Sequence, residues 1–423
     1  MTGATGSSET RPGPGAGGRG YEGLRVLYSF PHILGAPGIG TTAWCQVQGL
    51  VDHGVEVDLV CTSVGRQVPG LARVTETLVA AGRRIPHRAL GVDRAYRYHD
   101  RRAARALARR RDEIQIVHTW PGGCLATLAR ARQLGVPSVR ELPSPHTADA
   151  MAQATADAAL LGIELPPGHS HRFDEHRLAR ELAEFEAADA LLAPSEYVER
   201  TFAARGWAPE RLLRHQYGFD PTRFAPDPAR PARHDGGLVA LFAGRGEPNK
   251  GLHFALRAWV DAGPAERGGR FVICGRILPA YRPMLEPMIS HPSVEERGFE
   301  DDMPGAMAAA DILMLPSTTE GSALVTYEAQ GSGCVLLVSD AAGAVCDDGV
   351  QGFVHPAGDV ETLTRQLRQL DEDRDLLARM RASTFAQRDQ LTWDHAAELL
   401  AGAYLQLVTR MGEPRRQEPL PEG

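Results

Sequence analysis

The sequence predicts an α/β protein built on two doubly wound parallel sheets, and three observations carry that expectation. Short apolar runs alternate with longer helix-like segments along the whole chain, which calls for parallel strands covered by helices on both faces. The pattern occurs twice, with a stretch dense in Pro, Arg and Gly between the halves. The length of 423 residues exceeds what one ordinary hydrophobic core supports and suggests two or three domains.

Taken in order, residues 1–20 are rich in Gly, Ser, Thr and Pro and lack an apolar core, so they read as a disordered lead rather than a signal peptide. A first domain at 21–217 takes its strands from 24–28, 55–60, 114–117, 138–140 and 190–193, each ending in a polar or Pro-containing loop. Such loops form the ligand edge of a parallel sheet. Residues 218–237 make the linker. A second domain at 238–393 repeats the design with strands at 238–242, 271–274, 312–315, 335–338 and 352–354. A last amphipathic helix at 394–412 carries Ala397, Leu400, Ala401, Tyr404 and Leu405 on one face, and 413–423 reads as a frayed tail.

A formal charge of −7 and a pI near 6.1 leave no surplus of Lys and Arg for nucleic-acid phosphates, so a general nucleic-acid binder is excluded. The six cysteines show no C-x-x-C spacing, which argues against a zinc site and a disulfide framework and fits a reducing cytoplasm. No apolar run is long enough to span a bilayer. The arginine-rich segment from Arg94 to Arg111 reads as a solvated helix; contact with an anionic acceptor or with acidic lipid heads is its alternative.

Two stretches of the second half carry chemistry. Pro316, Ser317 and Gly321 interrupt the apolar run at 312–315, so Glu320 falls in a turn at a strand end. Glu328, eight positions on, falls inside a helix that begins near Ser322. A helix opening there aims the free N–H groups of Ser322, Ala323, Leu324 and Val325 at the mouth of the sheet, where they stabilise an anion such as a diphosphate. Two turns further, Glu328 can accept from vicinal hydroxyls such as those of a ribose. The segment from Gly244 to Leu252 follows another strand and precedes a helix at 253–261. Gly244 lets the backbone approach a ligand, while Arg245 and Lys250 offer a forked and a point positive charge. An ordinary turn has the same composition; the position at a strand end, in the domain that also holds the paired glutamates, favours the functional reading.

The two glutamates and their spacing resemble the E-x7-E element of the retaining family 4 glycosyltransferases, also termed glycosyl transferases group 1. The resemblance runs from about residue 24 to 408 and includes, in order, Glu184 to Val198, Tyr217-Gly218-Phe219-Asp220, Ala309-Ala310-Asp311-Ile312 and Asp348 to Gly352. Departures are Ser322 and Ala323, where the family has Phe and a second Gly, and Ala344, where Glu is frequent. The resemblance implies a GT-B fold, two Rossmann-like domains facing across a cleft, with the last helix packing back toward the first domain. It implies transfer of a sugar from a nucleotide diphosphate donor in the second domain to an unknown acceptor hydroxyl in the first, with retention and without metal or cofactor. In that scheme Arg245, Lys250 and the helix start at 322–325 neutralise the departing diphosphate, and Glu320 holds the donor sugar. Glu328 holds the ribose, and Arg297 and Phe299 line the base. The segment with Gly38 and Gly40 faces the diphosphate, and His146 touches the donor sugar.

The Gly-x-Gly-x-x-Ala spelling at 38–43 superficially matches a dinucleotide fingerprint. Eight residues separate the strand at 24–28 from Pro37, however, and the second strand ends in Cys61-Thr62-Ser63 with no acidic residue, so a nicotinamide enzyme is not expected. His118 competes with His146, with a structural role as its default. His169, His171, Asp174 and His176 match no zinc spacing and read as helix-lead and surface residues. Asp371-Glu372-Asp373 reads as a solvated helix face rather than a metal ligand set. A nucleotide-sugar epimerase, a phosphorylase or a catalytically silent nucleotide-sugar binder shares this architecture.

Overall fold

The structure is a computed structural model that describes residues 21–226 and 236–412; the expected lead, part of the linker and the tail lie outside them. Strands β1 (Arg25–Leu34), β2 (Glu56–Val64) and β3 (Arg73–Glu76) are followed by a small hairpin of β4 (Val79–Ala80) and β5 (Arg83–Arg84). Then come β6 (Ile116–Thr119), β7 (Ser138–Glu141), β8 (Ala190–Ala193) and β9 (Leu212–Arg214). They form a seven-stranded parallel sheet in the order β3-β2-β1-β6-β7-β8-β9. A second sheet of six strands has the order β12-β11-β10-β13-β14-β15. Its members are β10 (Val239–Ala243), β11 (Arg270–Cys274), β12 (Val294–Gly298), β13 (Ile312–Leu315), β14 (Val335–Ser339) and β15 (Gly352–His355). Each order reverses once, between β1 and β6 and between β10 and β13. Ligand crevices of open α/β sheets lie at the carboxyl ends of the strands at such reversals.

Helices α1 (Ile39–Asp52), α2 (His87–Leu90), α3 (Val92–Arg109), α4 (Leu125–Leu134), α5 (Thr147–Leu160), α6 (Glu175–Ala187) and α7 (Glu196–Ala203) belong to the first half. The second half adds α8 (Leu252–Ala262), α9 (Arg282–Ile289), α10 (Met303–Ala308), α11 (Leu324–Gly331), α12 (Val360–Glu372) and α13 (Arg374–Ala386), and α14 (Trp393–Gly412) ends the described chain. Strands β8, β13 and β14 are buried along their whole length, which is why their sequences are continuous apolar runs rather than alternating ones.

Several boundaries differ from expectation for identifiable reasons. Strand β1 does not stop at Tyr28. It pairs with β2 from Arg25 to Phe30, passes Pro31 and His32 as an irregularity, and resumes pairing at Ile33. Only Gly35 to Gly38 then separate it from α1, which corrects the eight-residue gap; the missing acidic residue after β2 still stands, since β2 closes on Thr62-Ser63-Val64. Strands β3 and β9 are additional short edge strands of the first sheet, of four and three residues, too brief to stand out as apolar runs. Asp371 is not solvated: it is buried and accepts from Arg267 Nε at 2.5 Å, while Asp373 caps α13 by accepting from Leu376 N at 2.8 Å.

The last helix returns to the first half. Leu400, Ala401, Tyr404 and Leu407 of α14 join the core formed by β1, β2 and α1. Gly49 of α1 permits this contact, because a Cβ there would stand 2.5 Å from Ala397 Cβ. Gly218 likewise lets the outgoing linker cross the returning chain, where Phe219 bridges Thr392. In α3 the small or apolar Ala95, Ala103 and Leu107 face inward, and Asp100 reaches the backbone N–H groups of Ala126 and Thr127 at the start of α4.

Candidate functional site

The β10 and β13 crossovers build the site at the second reversal. Gly244 leaves β10 at φ 149°, and Pro248 to Lys250 form one 3-10 turn that ends on Gly251 at φ 69°. A Cβ on Gly251 would stand 2.0 Å from the Pro316 carbonyl oxygen, so its absence lets this loop lie against the one after β13. Thr318 N donates to Asn249 O at 2.9 Å and fixes the register of the two loops. The result brings two predicted residues together: Lys250 Nζ donates to Glu320 Oε2, with the side chains 20% and 18% exposed. Lys250 is also the single lysine among the 46 Lys and Arg residues of the chain. Arg245 is 70% exposed and lies 3.3 Å from Glu247.

After β13 the chain turns into α11 two residues later than expected. Ser322 does not open the helix; its hydroxyl is turned inward to Tyr327 Oη at 2.9 Å and to the Gly343 carbonyl at 3.1 Å. Ala323 is the N-cap and supplies no side-chain acceptor, so the first-turn N–H groups of Leu324 and Val325 are left without a side-chain cap. Glu328 and Leu324 line a cavity of about 540 Å³ together with Thr41, Trp44 and Gln48 of α1 and with Arg223. Burial pushes the Glu328 carboxyl up to about 7, against the pull of Arg223.

On the facing side, Gly38 begins α1 at φ 80°, and Gly40 is packed so closely that a Cβ would lie 2.6 Å from the Ile33 carbonyl oxygen. This turn delivers Thr41 to the cavity that Leu324 and Glu328 share. Arg297 stands apart at the end of β12, paired with Glu295 at 2.7 Å and Glu300 at 3.6 Å. Phe299 beside it is 70% exposed, with the Arg276 guanidinium 5.9 Å from its ring centre.

His146 is placed differently from its expected partners. It is 2% exposed, accepts from Ala148 N at 3.3 Å as the N-cap of α5, and packs its ring 5.0 Å from Phe202 and 5.4 Å from Phe185. Burial lowers its pKa to about 4. His118 has the structural role assigned to it by default: it stacks on Tyr28 at 4.3 Å and meets Tyr404 Oη at 2.6 Å.

The expectation that His169 and His171 are surface residues is corrected. The segment joining α5 to α6 lies against the second half, where Leu161 and Ile163 pack on its core and Thr318 Oγ1 donates to Asp157 at 2.5 Å. The His169 side chain is 4% exposed, with Nε2 3.7 Å from Glu247. The His171 ring is held down to about 4 by burial, with the charges of Glu320 and Lys250 both acting on it. Asp174 and His176 keep the helix-lead role, Asp174 capping α6 through Arg177 N at 3.0 Å while His176 is exposed. Two signals were present in the sequence: the density of histidines in one inter-element segment, and the lone lysine.

Among the described residues no group of three His, Cys, Asp or Glu side chains is placed to hold a metal ion, and no helix is long and apolar enough to cross a membrane.

Comparison with known proteins agrees with this construction. The family described as Glycosyl transferases group 1 matches residues 237–373, and Glycosyltransferase Family 4 matches residues 37–223. A D-inositol 3-phosphate glycosyltransferase of Streptomyces bingchenggensis is 26% identical over 314 residues, which cover 69% of this chain and 66% of that protein. One of Streptomyces griseus is 28% identical over 327 residues, covering 68% and 65%. The chain therefore spans just under two thirds of these curated relatives. Among solved structures, Anabaena HepE in complex with UDP and glucose superposes with a TM-score of 0.60 at 17% identity, covering 91% of this chain and all of that one (100%). Sucrose-phosphate synthase of Thermosynechococcus elongatus gives 0.63 at 18% identity, covering 92% and 99%. At such identities the likeness speaks for the fold alone, the GT-B arrangement of two parallel-sheet halves. Because the two family matches together take in most of both halves, from α1 to β9 and from β10 to α12, the chain belongs to the family 4, group 1 glycosyltransferases.

Proposed function

We propose that the protein transfers a sugar from a nucleoside diphosphate donor to an acceptor hydroxyl, with retention at the anomeric carbon and without a bound metal ion. The observation that carries this reading is the Lys250–Glu320 pair at the β10/β13 crevice, beside the uncapped start of α11. A donor diphosphate competes for Lys250 and takes the first-turn N–H groups, and Glu320 is released to accept from the sugar hydroxyls. An ammonium is a compact charge with rotatable donors and can swing from carboxylate to phosphate, where a guanidinium is bound by its fork geometry. A chain that otherwise uses arginine as its basic residue keeps its one lysine here. Exposed Arg245 turns from Glu247 to close on the same phosphates.

The acceptor hydroxyl forms its new bond to the anomeric carbon on the face from which the diphosphate leaves. Its proton passes to a phosphate oxygen, and the clamp stabilises the charge that grows on the leaving group. Glu328 takes the ribose hydroxyls, Arg297 and Phe299 flank the base, and closure of the halves excludes water. Support also comes from the complex of HepE with UDP and glucose and from the relatives named for sugar transfer to an inositol phosphate.

The test is a panel of UDP-, GDP- and ADP-hexoses with polyol and inositol phosphate acceptors. Free nucleoside diphosphate released only when an acceptor is present supports transfer; conversion of the sugar without acceptor marks an epimerase instead. Proton NMR of the new linkage decides retention. Activity that disappears in chelator and returns with magnesium would overturn the metal-independent reading.

A further inference from the structure

We infer that His171, carried by the segment between α5 and α6 of the first half, is a sugar-facing residue of the donor site that helps to select the transferred sugar beside Glu320. This rests on the donor reading above. His146, the histidine that family resemblance places against the donor sugar, is enclosed by Phe185 and Phe202 and spends a ring nitrogen on the α5 cap. The imidazoles that do reach the β10/β13 crevice are those of His169 and His171.

Their placement is built rather than incidental. Leu161 and Ile163 anchor the segment on the core of the second half, Asp157 accepts from Thr318, and His169 sits 3.7 Å from Glu247, in the loop that also carries Arg245 and Lys250. His171 N donates to His169 Nδ1 at 3.1 Å, so the position of one histidine sets that of the other. Arg177 holds the turn from the opposite side by donating to the Ser170 carbonyl. His169 Nε2 is turned to Glu247, whereas His171 Nδ1 is buried without a hydrogen-bond partner among the described residues. A buried polar atom without a partner costs stability unless a ligand or water completes it. His169 is thus the positioning residue and His171 the ligand-facing one.

The chemistry suits a hydroxyl. Glu320 only accepts hydrogen bonds and Lys250 only donates them, whereas a neutral imidazole carries one donor and one acceptor. Burial keeps His171 neutral at physiological pH, so it can pair with a sugar hydroxyl that acts as donor and acceptor at once. An acceptor-only carboxylate beside an imidazole of both kinds distinguishes sugars by the orientation of neighbouring hydroxyls.

The experiment is calorimetry of the full chain with UDP, GDP and ADP and with their glucose, galactose, mannose and N-acetylglucosamine conjugates, for wild type, His171→Ala, His171→Gln and, as a control in the same segment, His176→Ala. Melting curves verify that the variants fold. For the conjugate that wild type binds most tightly, His171→Ala is expected to lose about tenfold in affinity while the matching free diphosphate binds as before. His171→Gln, which keeps a donor and an acceptor, should recover part of the loss, and His176→Ala none of the effect. Equal loss for conjugate and free diphosphate, or no loss for either, overturns the assignment. If wild type binds the free diphosphates but no conjugate, the sugar site is refuted while a nucleotide site remains. If it binds neither, the donor reading fails and this inference with it.

Discussion

Lys250 Nζ donates to Glu320 Oε2 across 70 residues of sequence, joining the crossover that follows β10 to the one that follows β13. The pair sets two opposite charges of the crevice against each other, so a diphosphate must compete with a carboxylate for the ammonium. Both partners are partly exposed, so the pair is a weak contributor to stability and a substantial one to the site's electrostatics.

Lys250→Ala is expected to reduce transfer by roughly two orders of magnitude, about 3 kcal/mol, mainly at the chemical step. Lys250→Arg should restore little of it, because the forked guanidinium cannot exchange between Glu320 and phosphate as an ammonium does. Residues that act as a unit are non-additive, so Lys250→Ala combined with Glu320→Gln should cost less than the sum of the two single changes. Additive losses in single-turnover kinetics would separate the two residues.

Glu328 gives a pH signature. Burial raises its folded pKa from 4.5 to about 7, so the fold favours the neutral acid. The stability this contributes is complete below about pH 4.5 and is lost as pH rises through about 7. Glu328→Gln cannot ionise and should melt higher than wild type at about pH 8, with the gap closing toward about pH 4.5. Ribose hydroxyls favour the carboxylate, so wild-type affinity for nucleoside diphosphate should rise between about pH 6 and pH 8 more steeply than that of the variant. Identical pH profiles for the two proteins would refute the ribose role.

The contact between Gly251 and Pro316 is a sharp constraint on the site. Gly251→Ala places a Cβ 2.0 Å from a carbonyl oxygen and also strains φ, whereas Gly358→Ala strains a similar φ with its nearest neighbour at 4.0 Å. Both should lose about 1 kcal/mol or more from the backbone term. Only Gly251→Ala should in addition weaken diphosphate binding, because it pushes Lys250 away from Glu320. Equal binding by the two variants would count against this geometry.

Tyr404→Phe removes the hydroxyl that meets His118 Nδ1 at 2.6 Å and leaves a buried ring nitrogen unpaired. The expected loss is about 1–3 kcal/mol in denaturant unfolding, with nucleotide affinity unchanged. No loss of stability would mean that this buried hydrogen bond contributes nothing to holding α14 on the first half.

Read by itself, the sequence determined the two doubly wound sheets, because strands buried on both faces must be continuous apolar runs; those at 190–193 and 312–315 were placed to the residue. It also determined the turn holding Glu320 and the glycine-rich loop ending at Gly251, since both depend on neighbouring residues. The uniqueness of Lys250 was open to reading as a plain count. Relations between distant segments emerge only once the chain is folded. Strand β1 runs past Pro31 because β2 offers it partners as far as Val64. Histidines illustrate the same point: His146 has its ring among phenyl rings, His118 stacks beneath Tyr28, and His169 faces a carboxylate contributed by the other half. An imidazole has no fixed role of its own, since its charge and hydrogen bonds are set by whatever the folded chain brings within about 4 Å of it.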